Sequence, residues 1–330
     1  MSHKRDRKRR QTNALKLSRQ QVVAIAIVTI VTVSSLLVYA FLPRGGSNQL
    51  KAAIVDQLSS RADFQNATFV KTANATLTAA GYAVTYYKGS DATVNLFRSL
   101  PTYGYDLIIL RVHSALYNGT DAPLDLFTSE VFDSYSYPLD RMKGYLDIAM
   151  YQAGAPPREQ FFGIKPGFVS NAMQGNFQNA TIILMGCNGL DIHSNGTGQV
   201  FRSLELLNAF VSKGARVLIG WDATVLMNRT DVGTAKLLQH LLVENQTVKN
   251  AVNSTNNNVG PDSVYGSALT YFPSRALSSL VDVGNYTIPR AHDSVAATSV
   301  IGNSVAGPLL MNFFALPISL SKKTVRKLIF

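Results

Sequence analysis

The chain has 330 residues, with 31 Lys or Arg against 20 Asp or Glu, and a formal net charge of +11. The positive excess lies at the ends, because residues 1–20 carry +7 and the last nine residues carry +4, so residues 21–321 are neutral. A neutral body lacks the field on which binding to a phosphate backbone depends, so no nucleic acid is expected as a partner. A single cysteine excludes an internal disulfide framework and a zinc site built from several cysteines.

The first hydrophobic stretch, Val22–Leu42, contains no charged residue. A helix of that length spans about 31 Å, which matches the thickness of a hydrocarbon core. A secretory signal peptide is the alternative, but its apolar region is shorter and ends in a small-x-small cleavage site, which the ending Val-Tyr-Ala-Phe-Leu-Pro lacks. We therefore predict a basic head at 1–20, a transmembrane helix at 21–42, a linker at 43–49 and one domain at 50–330.

The charges on either side of this span predict its orientation. Eight Lys or Arg precede it, and only Arg44 and Lys51 follow closely, so the positive-inside rule places the head in the cytoplasm and the domain outside. Nine Asn-x-Ser/Thr triplets follow the span and none precedes it, which is typical of an extracytoplasmic glycoprotein. They begin at Asn66, Asn74, Asn118, Asn179, Asn195, Asn228, Asn245, Asn253 and Asn285. A large exported domain without disulfides favours an archaeal cell surface.

A second uncharged stretch, Val295–Leu320, precedes the basic tail. If it crossed the membrane, both ends of the chain would be cytoplasmic. It contains Asn303, Asn312, Pro308 and Pro317, among other polar or helix-breaking residues, and buried polar groups are costly in lipid. A strand and loop packed on the domain is the preferred interpretation, and the spanning alternative stays open.

Between these stretches the hydrophobic pattern predicts alternating strands and helices. The predicted strands are 51–58, 82–87, 105–112, 180–185 and 216–221, and the predicted helices are 64–80, 91–100, 198–213 and 230–243. Gly81 and Gly214 end two of the helices, as glycines directly after a helix commonly do. Residues 115–178 are predicted to form loops and hairpins with strands near 144–150 and 160–164, and 250–262 a polar loop. This order predicts an α/β fold with a mainly parallel sheet and helices on both faces.

Polar residues follow three of the apolar strands, where the chemistry of a parallel sheet is usually found. His113 and Ser114 follow the strand at 105–112, Cys187 follows the strand at 180–185, and Asp222 follows the strand at 216–221. An imidazole beside a thiol supplies the base that a cysteine nucleophile needs. The alternative is a structural cysteine with an incidental loop histidine, and Asp222 also suits a helix cap or loop carboxylate.

These motifs resemble the caspase-like cysteine peptidase superfamily, and most closely its separase and CHAT-type domains. The likeness lies in the order strand–His, strand–Cys, helix, and then Gly-Ala before another strand. Its residues are Ile-Leu-Met-Gly-Cys-Asn-Gly at 183–189 and Gly-Ala-Arg-Val-Leu-Ile-Gly-Trp-Asp at 214–222. The resemblance implies a caspase-like sheet and an activity that hydrolyses peptide bonds. The family usually has glycine directly after the histidine, where this chain has Ser114.

The resemblance also implies roles for these residues. Cys187 would be the nucleophile and His113 the general base, while the backbone N–H groups of Ser114 and Cys187 would bind the oxyanion. Asp222 would line the pocket for the residue before the cleaved bond and favour Arg or Lys there. Asp191 and His193 lie near Cys187, but one residue of each kind in a glycine-rich loop is poor metal spacing, so we expect neither a metal nor a cofactor.

Two functions therefore stand as hypotheses. The first is a membrane-anchored extracytoplasmic peptidase whose partners are a protein or peptide substrate and, through Val22–Leu42, the lipid bilayer. The second is a non-catalytic cell-surface binding or structural domain on the same fold. Fold analogy does not choose between them, because one fold carries many functions.

Overall fold

A computed structural model describes residues 49–116, 124–151, 158–191, 203–274 and 282–291. The predicted basic head, the span Val22–Leu42 and the stretch Val295–Leu320 lie outside these ranges. Within them, no helix combines the length and the apolar character that crossing a bilayer requires.

Ten strands form two sheets in the described ranges. Sheet A contains β1 (Lys51–Asp56), β2 (Ala83–Tyr87), β3 (Leu107–Arg111), β8 (Thr181–Leu184), β9 (Val217–Trp221) and β10 (Leu269–Phe272). Sheet B contains β4 (Ser114–Leu116), β5 (Leu124–Val131), β6 (Leu146–Met150) and β7 (Gln160–Ile164). The order in sheet A is β10-β9-β8-β3-β1-β2, with β10 antiparallel to β9 and every other pair parallel. Sheet B is antiparallel, in the order β4-β5-β7-β6.

Seven α-helices accompany the sheets in the same described ranges. They are α1 (Ala67–Ala79), α2 (Val94–Ser99), α3 (Pro138–Met142), α4 (Pro166–Asn171), α5 (Leu204–Ser212), α6 (Met227–Leu238) and α7 (Val248–Val259). Residues 57–60, 62–64, 89–91 and 100–103 form 3-10 turns, and Gln239–Val243 continues α6 as a π-helix. Side chains of α1, α6 and α7 pack on one face of sheet A, and those of α2, α4, α5 and sheet B pack on the other. The predicted α/β fold with helices on both faces is therefore present.

The central strands are apolar over most of their length because both of their faces are covered. In β1, Ala53 and Val55 belong to the core beside α2 and α5, while Ala52 and Ile54 belong to the core beside α1 and α6. A strand buried on both sides has no face left for polar residues, which accounts for the continuous apolar runs of the sequence.

The first helix shows how local sequence sets the ends of an element. The Asn66 side chain accepts a hydrogen bond from the Phe69 N–H and caps α1, so the helix begins at Ala67 rather than at the predicted residue 64. Gly81 follows the helix with φ of 91°, and the Tyr82 N–H returns to the Leu77 carbonyl. The predicted role of Gly81 as a helix-ending glycine is thus confirmed.

The predicted polar loop at 250–262 is wrong, because most of it belongs to helix α7. The segment is rich in asparagine, which has a low helix propensity. Its buried residues nevertheless follow helical spacing, with Val248, Ala251, Val252 and Thr255 turned toward the core. Burial of this face stabilises the helix where composition alone predicts none.

The insertion between β3 and β8 is more regular than the sequence indicates. The strands predicted near 144–150 and 160–164 are present as β6 and β7, whereas β5 was predicted only as part of an irregular region. Leu126, Phe162 and Ile164 of sheet B join the core shared with α2, α4 and α5. Sheet B is therefore packed against the main domain and begins directly after the segment that carries His113.

Candidate active site at the carboxyl ends of sheet A

The segments that carry His113 and Cys187 follow neighbouring strands. Strands β3 and β8 pair in parallel, with Leu110 opposite Leu184, and the Met185 N–H continues the pairing by donating to the Leu110 carbonyl. His113 lies two residues past the end of β3, and Cys187 lies three residues past the end of β8. Both groups therefore start from the same edge of the sheet. The Cys187 side chain packs against the core beside α1, α6 and α7, whereas the His113 ring lies against aromatic residues in and beside sheet B.

These two segments are in direct contact. The Ser114 hydroxyl donates a hydrogen bond to the Cys187 carbonyl at 2.5 Å. A Cβ placed on Gly186 would lie 2.7 Å from the Val112 carbonyl oxygen, closer than real Cβ atoms approach backbone. Glycine at 186 is thus required by the close approach of the two segments, and its absence of a side chain brings the cysteine loop against the histidine loop.

The His113 side chain lies in an aromatic environment. Its ring meets Phe127 edge-on, with 4.6 Å between centroids, and lies tilted against Tyr151 at 5.0 Å. Among the described residues, no group forms a hydrogen bond with its ring nitrogens. Burial lowers the pKa of the His113 imidazole to about 4, so the ring is neutral at pH 7.

The Gln57 side chain forms hydrogen bonds with both the His113 backbone and Tyr151, and it was not identified from the sequence. Its side chain is fully buried and accepts the His113 N–H at 3.0 Å. Its amide nitrogen donates to the Tyr151 hydroxyl at 2.9 Å. One glutamine directly after β1 thus positions both the histidine backbone and the aromatic ring that packs on the imidazole.

Cys187 is half-buried and its thiol is also neutral. The thiol donates a weak hydrogen bond to the Val225 carbonyl, with 3.6 Å between sulfur and oxygen. Burial raises the pKa of the Cys187 thiol, and the negative charge of Asp262 adds to the rise. A thiolate is therefore disfavoured at this position at neutral pH.

The backbone N–H groups of Ser114 and Cys187 are the predicted oxyanion donors. The Phe127 N–H donates to the His113 carbonyl, while Ser114 pairs with Leu126. This pattern makes Ser114–Leu126 a non-hydrogen-bonded pair, so the Ser114 N–H points away from β5. The N–H of Cys187 interacts with its own thiol and acts to lower the thiol pKa, against the larger effect of burial.

Asp222 follows β9, the strand next to β8, and lies at the same edge of the sheet. Its carboxylate accepts the Ala268 N–H at 2.8 Å, and its own N–H donates to the Ala268 carbonyl at 3.1 Å. The next residue, Ala223, accepts the N–H of Asn188 in the cysteine loop. Asp222 therefore has a structural role, joining the end of β9 to the segment that leads into β10, close to the loop of Cys187.

A buried ionic network lies beside these residues and was also missed from the sequence. Arg111, at the end of β3, donates to Asp56 at 2.7 Å and to the two carboxylate oxygens of Asp231 at 2.8 and 2.9 Å. Burial by itself would lower the pKa of Arg111, but the hydrogen bonds and charges of Asp231 and Asp56 outweigh it and raise the pKa. An arginine inside the apolar run of β3 was the available signal, because a buried charge requires a partner.

No group of three His, Cys, Asp or Glu side chains arranged to hold a metal occurs in the part of the chain that the structure describes. Neither a family model nor a curated protein matches the sequence.

Proposed function

We propose that the chain is a membrane-anchored, extracytoplasmic cysteine peptidase in which Cys187 is the nucleophile and His113 the general base. The observation that carries the proposal is the parallel pairing of β3 and β8, which starts both residues from one edge of sheet A. The Ser114–Cys187 hydrogen bond, which joins the two loops, supports it further. The resemblance to caspase-like peptidases, in which a strand–His precedes a strand–Cys, is part of the same proposal.

The reaction begins with the neutral thiol, because burial raises the pKa of Cys187 and lowers the pKa of His113. The sulfur attacks the peptide carbonyl carbon while the thiol proton passes to the imidazole, so that a C–S bond forms as the C=O double bond opens to an oxyanion. The N–H groups of Ser114 and Cys187 bind that oxyanion. The imidazolium then protonates the leaving amine, the C–N bond breaks, and water hydrolyses the thioester.

A neutral pair does not carry the preformed thiolate that makes many cysteine nucleophiles reactive before substrate arrives. Proton transfer and attack must therefore be coupled, and Cys187 should react with simple alkylating agents more slowly than free cysteine at pH 7.

Specificity for Arg or Lys before the cleaved bond belongs to the proposal through Asp222. Its carboxylate lies at the same edge of the sheet as Cys187, and a substrate guanidinium pairs well with a carboxylate. The amide of Ala268 already donates to Asp222, so the substrate would add to an existing hydrogen bond rather than meet a bare carboxylate.

The anchor completes the proposal. Val22–Leu42 would hold the protein in the bilayer with residues 1–20 in the cytoplasm and the peptidase domain outside, on the charge asymmetry of the sequence.

A second candidate is a non-catalytic surface domain. The specific observation in its favour is the packing of the His113 ring against Phe127 and Tyr151, which buries the imidazole among apolar groups. In that case Gln57 and Tyr151 stabilise the fold, and Cys187 is a half-buried structural cysteine.

Assays on the full chain, purified in mild detergent, distinguish the peptidase from the non-catalytic surface domain. Fluorogenic peptides with Arg, Lys, Asp or Leu before the cleaved bond measure specificity, and a peptide ketone with a leaving group labels the nucleophile. Cys187 is the only cysteine, so any thiol adduct reports that residue alone. We expect cleavage after Arg and Lys, and a loss of about 10³-fold or more for Cys187→Ala and for His113→Gln.

Asp222→Asn should slow cleavage after Arg and Lys while leaving the thiol adduct intact, and Asp133→Asn on an exposed turn serves as its matched control. Equal rates on all four peptides would contradict the role of Asp222. Absence of both cleavage and adduct would contradict the peptidase and favour the second candidate.

A further inference from the structure

Three of the nine glycosylation triplets are identical in sequence but differ in structure. Asn66, Asn74 and Asn179 each begin the tripeptide Asn-Ala-Thr. Any preference that depends on the tripeptide alone is therefore equal at the three positions. Differences in modification between them must come from the fold or from the neighbouring sequence.

The side-chain amide of Asn66 is engaged at both ends. Its oxygen caps α1 by accepting the Phe69 N–H at 3.0 Å. Its nitrogen donates to the carboxylate of Asp231 at 2.7 Å, and Asp231 in turn holds the buried Arg111. Attaching a glycan to this nitrogen displaces the hydrogen bond to Asp231, beside a network that is closed to solvent, while the cap fixes the orientation of the amide group.

Asn74 lies eight residues further along the same helix and is exposed. A cavity of about 880 Å³ lies beside α1 and is lined by Asn74, Lys71, Tyr86 and Lys88, among others. The ammonium groups of Lys71 and Lys88 offer hydrogen-bond donors to a sugar attached at Asn74, while the Tyr86 hydroxyl donates to Asp56. Asn66 also borders the cavity, but its amide nitrogen is directed to Asp231.

Four of the five other exposed triplets in the described ranges lie on or beside the layer of α1, α6 and α7, as Asn74 does, and Asn179 is the exception. Asn228 lies on α6, and Asn245 follows the π-helical end of α6. Asn253 lies on α7, and Asn285 lies in the segment that forms hydrogen bonds with the start of α7. Asn179 is exposed as well, directly before β8. None of the helices α2, α4 and α5 on the opposite face carries a triplet.

From this distribution we infer that the outer surface of the α1/α6/α7 layer carries N-linked glycans, with Asn74 modified and Asn66 unmodified. The inference rests on the extracytoplasmic placement proposed above. The donor would be a glycan linked through phosphate to a membrane lipid. The side-chain nitrogen of Asn74 displaces the phosphate oxygen at the anomeric carbon, so that an N–C bond forms, the C–O bond breaks, and the lipid phosphate leaves with the amide proton.

Site-specific mass spectrometry of the full chain, expressed in a host that N-glycosylates its exported proteins, tests the inference. Trypsin separates the two sites, because Lys71 divides residues 62–71, which contain Asn66, from residues 72–88, which contain Asn74. We expect occupancy at Asn74 to exceed that at Asn66 by about tenfold or more, since the cap and the charge-assisted hydrogen bond oppose reaction at Asn66. Asn74→Gln should remove the glycan from 72–88 and leave 62–71 unmodified.

A control variant separates failure of placement from failure of accessibility. Ser134→Asn creates the triplet Asn-Tyr-Ser on an exposed turn of the opposite face. Equal occupancy at Asn66 and Asn74 would overturn the inference, and so would an unmodified Asn74. If Asn74 is unmodified while Ser134→Asn acquires a glycan, the error lies in the assignment of the layer. If neither is modified in a host whose own exported proteins are, the extracytoplasmic placement fails with it.

Discussion

Two neighbouring places at the carboxyl edge of sheet A bury polar side chains in opposite ways. Between β1 and β3, Arg111 stays charged and contacts Asp56 and Asp231, all of them closed to solvent. Between β3 and β8, burial moves the pKa values of His113 and Cys187 in the directions that keep both groups neutral. Only one residue separates Arg111 from His113 in the chain.

The difference shows what burial demands of a titratable group. A charge can be buried when opposite charges and hydrogen bonds surround it, and otherwise the group becomes neutral. The ionic network ties the ends of β1 and β3 to helix α6 through fully paired charges. The thiol and the imidazole lack such charged partners among the described residues, so they remain free to change protonation state during a reaction.

Removing the buried Arg111 cation should have the largest effect on the free energy of unfolding. Arg111→Met leaves two buried carboxylates without their partner, which should lower the free energy of unfolding by about 3–5 kcal/mol. Arg98→Met is the matched control, because Arg98 pairs with Asp140 where both side chains are partly exposed, and its loss should be about 1 kcal/mol or less. Urea unfolding of both variants measures the difference. Similar losses would mean that burial of the network adds nothing.

A buried carboxyl that forms no ion pair within the described ranges, that of Asp125, sharpens the comparison. Burial raises the pKa of Asp125 in β5 from 3.8 to about 7, and no described group forms a hydrogen bond with its Oδ1. Because the folded pKa lies above the unfolded one, the stability that this group contributes is present below pH 4 and is lost as the pH rises through 7. The substitution Asp125→Asn should therefore raise the free energy of unfolding only slightly at pH 4, but by up to about 4 kcal/mol at pH 8. Unfolding curves at both pH values decide this, and an equal gain at pH 4 would contradict it.

The His113 imidazole should have the smallest of the three effects on stability, and its dependence on pH should be opposite to that of Asp125. Burial holds the pKa of His113 at about 4, below its ordinary value of 6.5, so the folded protein should lose stability as the pH falls from 7 to 4, by about 3 kcal/mol. His113→Gln removes the titrating group and should flatten this part of the stability–pH curve. Thermal unfolding of the full chain and the variant across that range measures the slopes. Parallel slopes would show that His113 is not buried in the neutral form.

The sequence by itself predicted the features that depend on neighbouring residues. The continuous apolar runs of β3, β8 and β9 indicate strands covered on both faces, and from these runs alone His113, Cys187 and Asp222 were predicted to follow strand ends. The glycine at 81 predicted the end of α1 in the same way. These signals are local, because strand burial repeats along the chain and a helix-ending glycine acts within one turn.

Only the tertiary structure decided which distant residues meet. Helix α7 forms from an asparagine-rich segment because its spaced apolar residues reach a core built by other elements. Asp231 contacts Arg111 across 120 residues of sequence, and Gln57 reaches His113 across 56. A charge or amide in the sequence shows that a partner is needed, but it does not name the partner, since contacts between distant residues depend on how the sheet and its helices pack. For that reason the neutral, aromatic surroundings of His113 follow only from the fold.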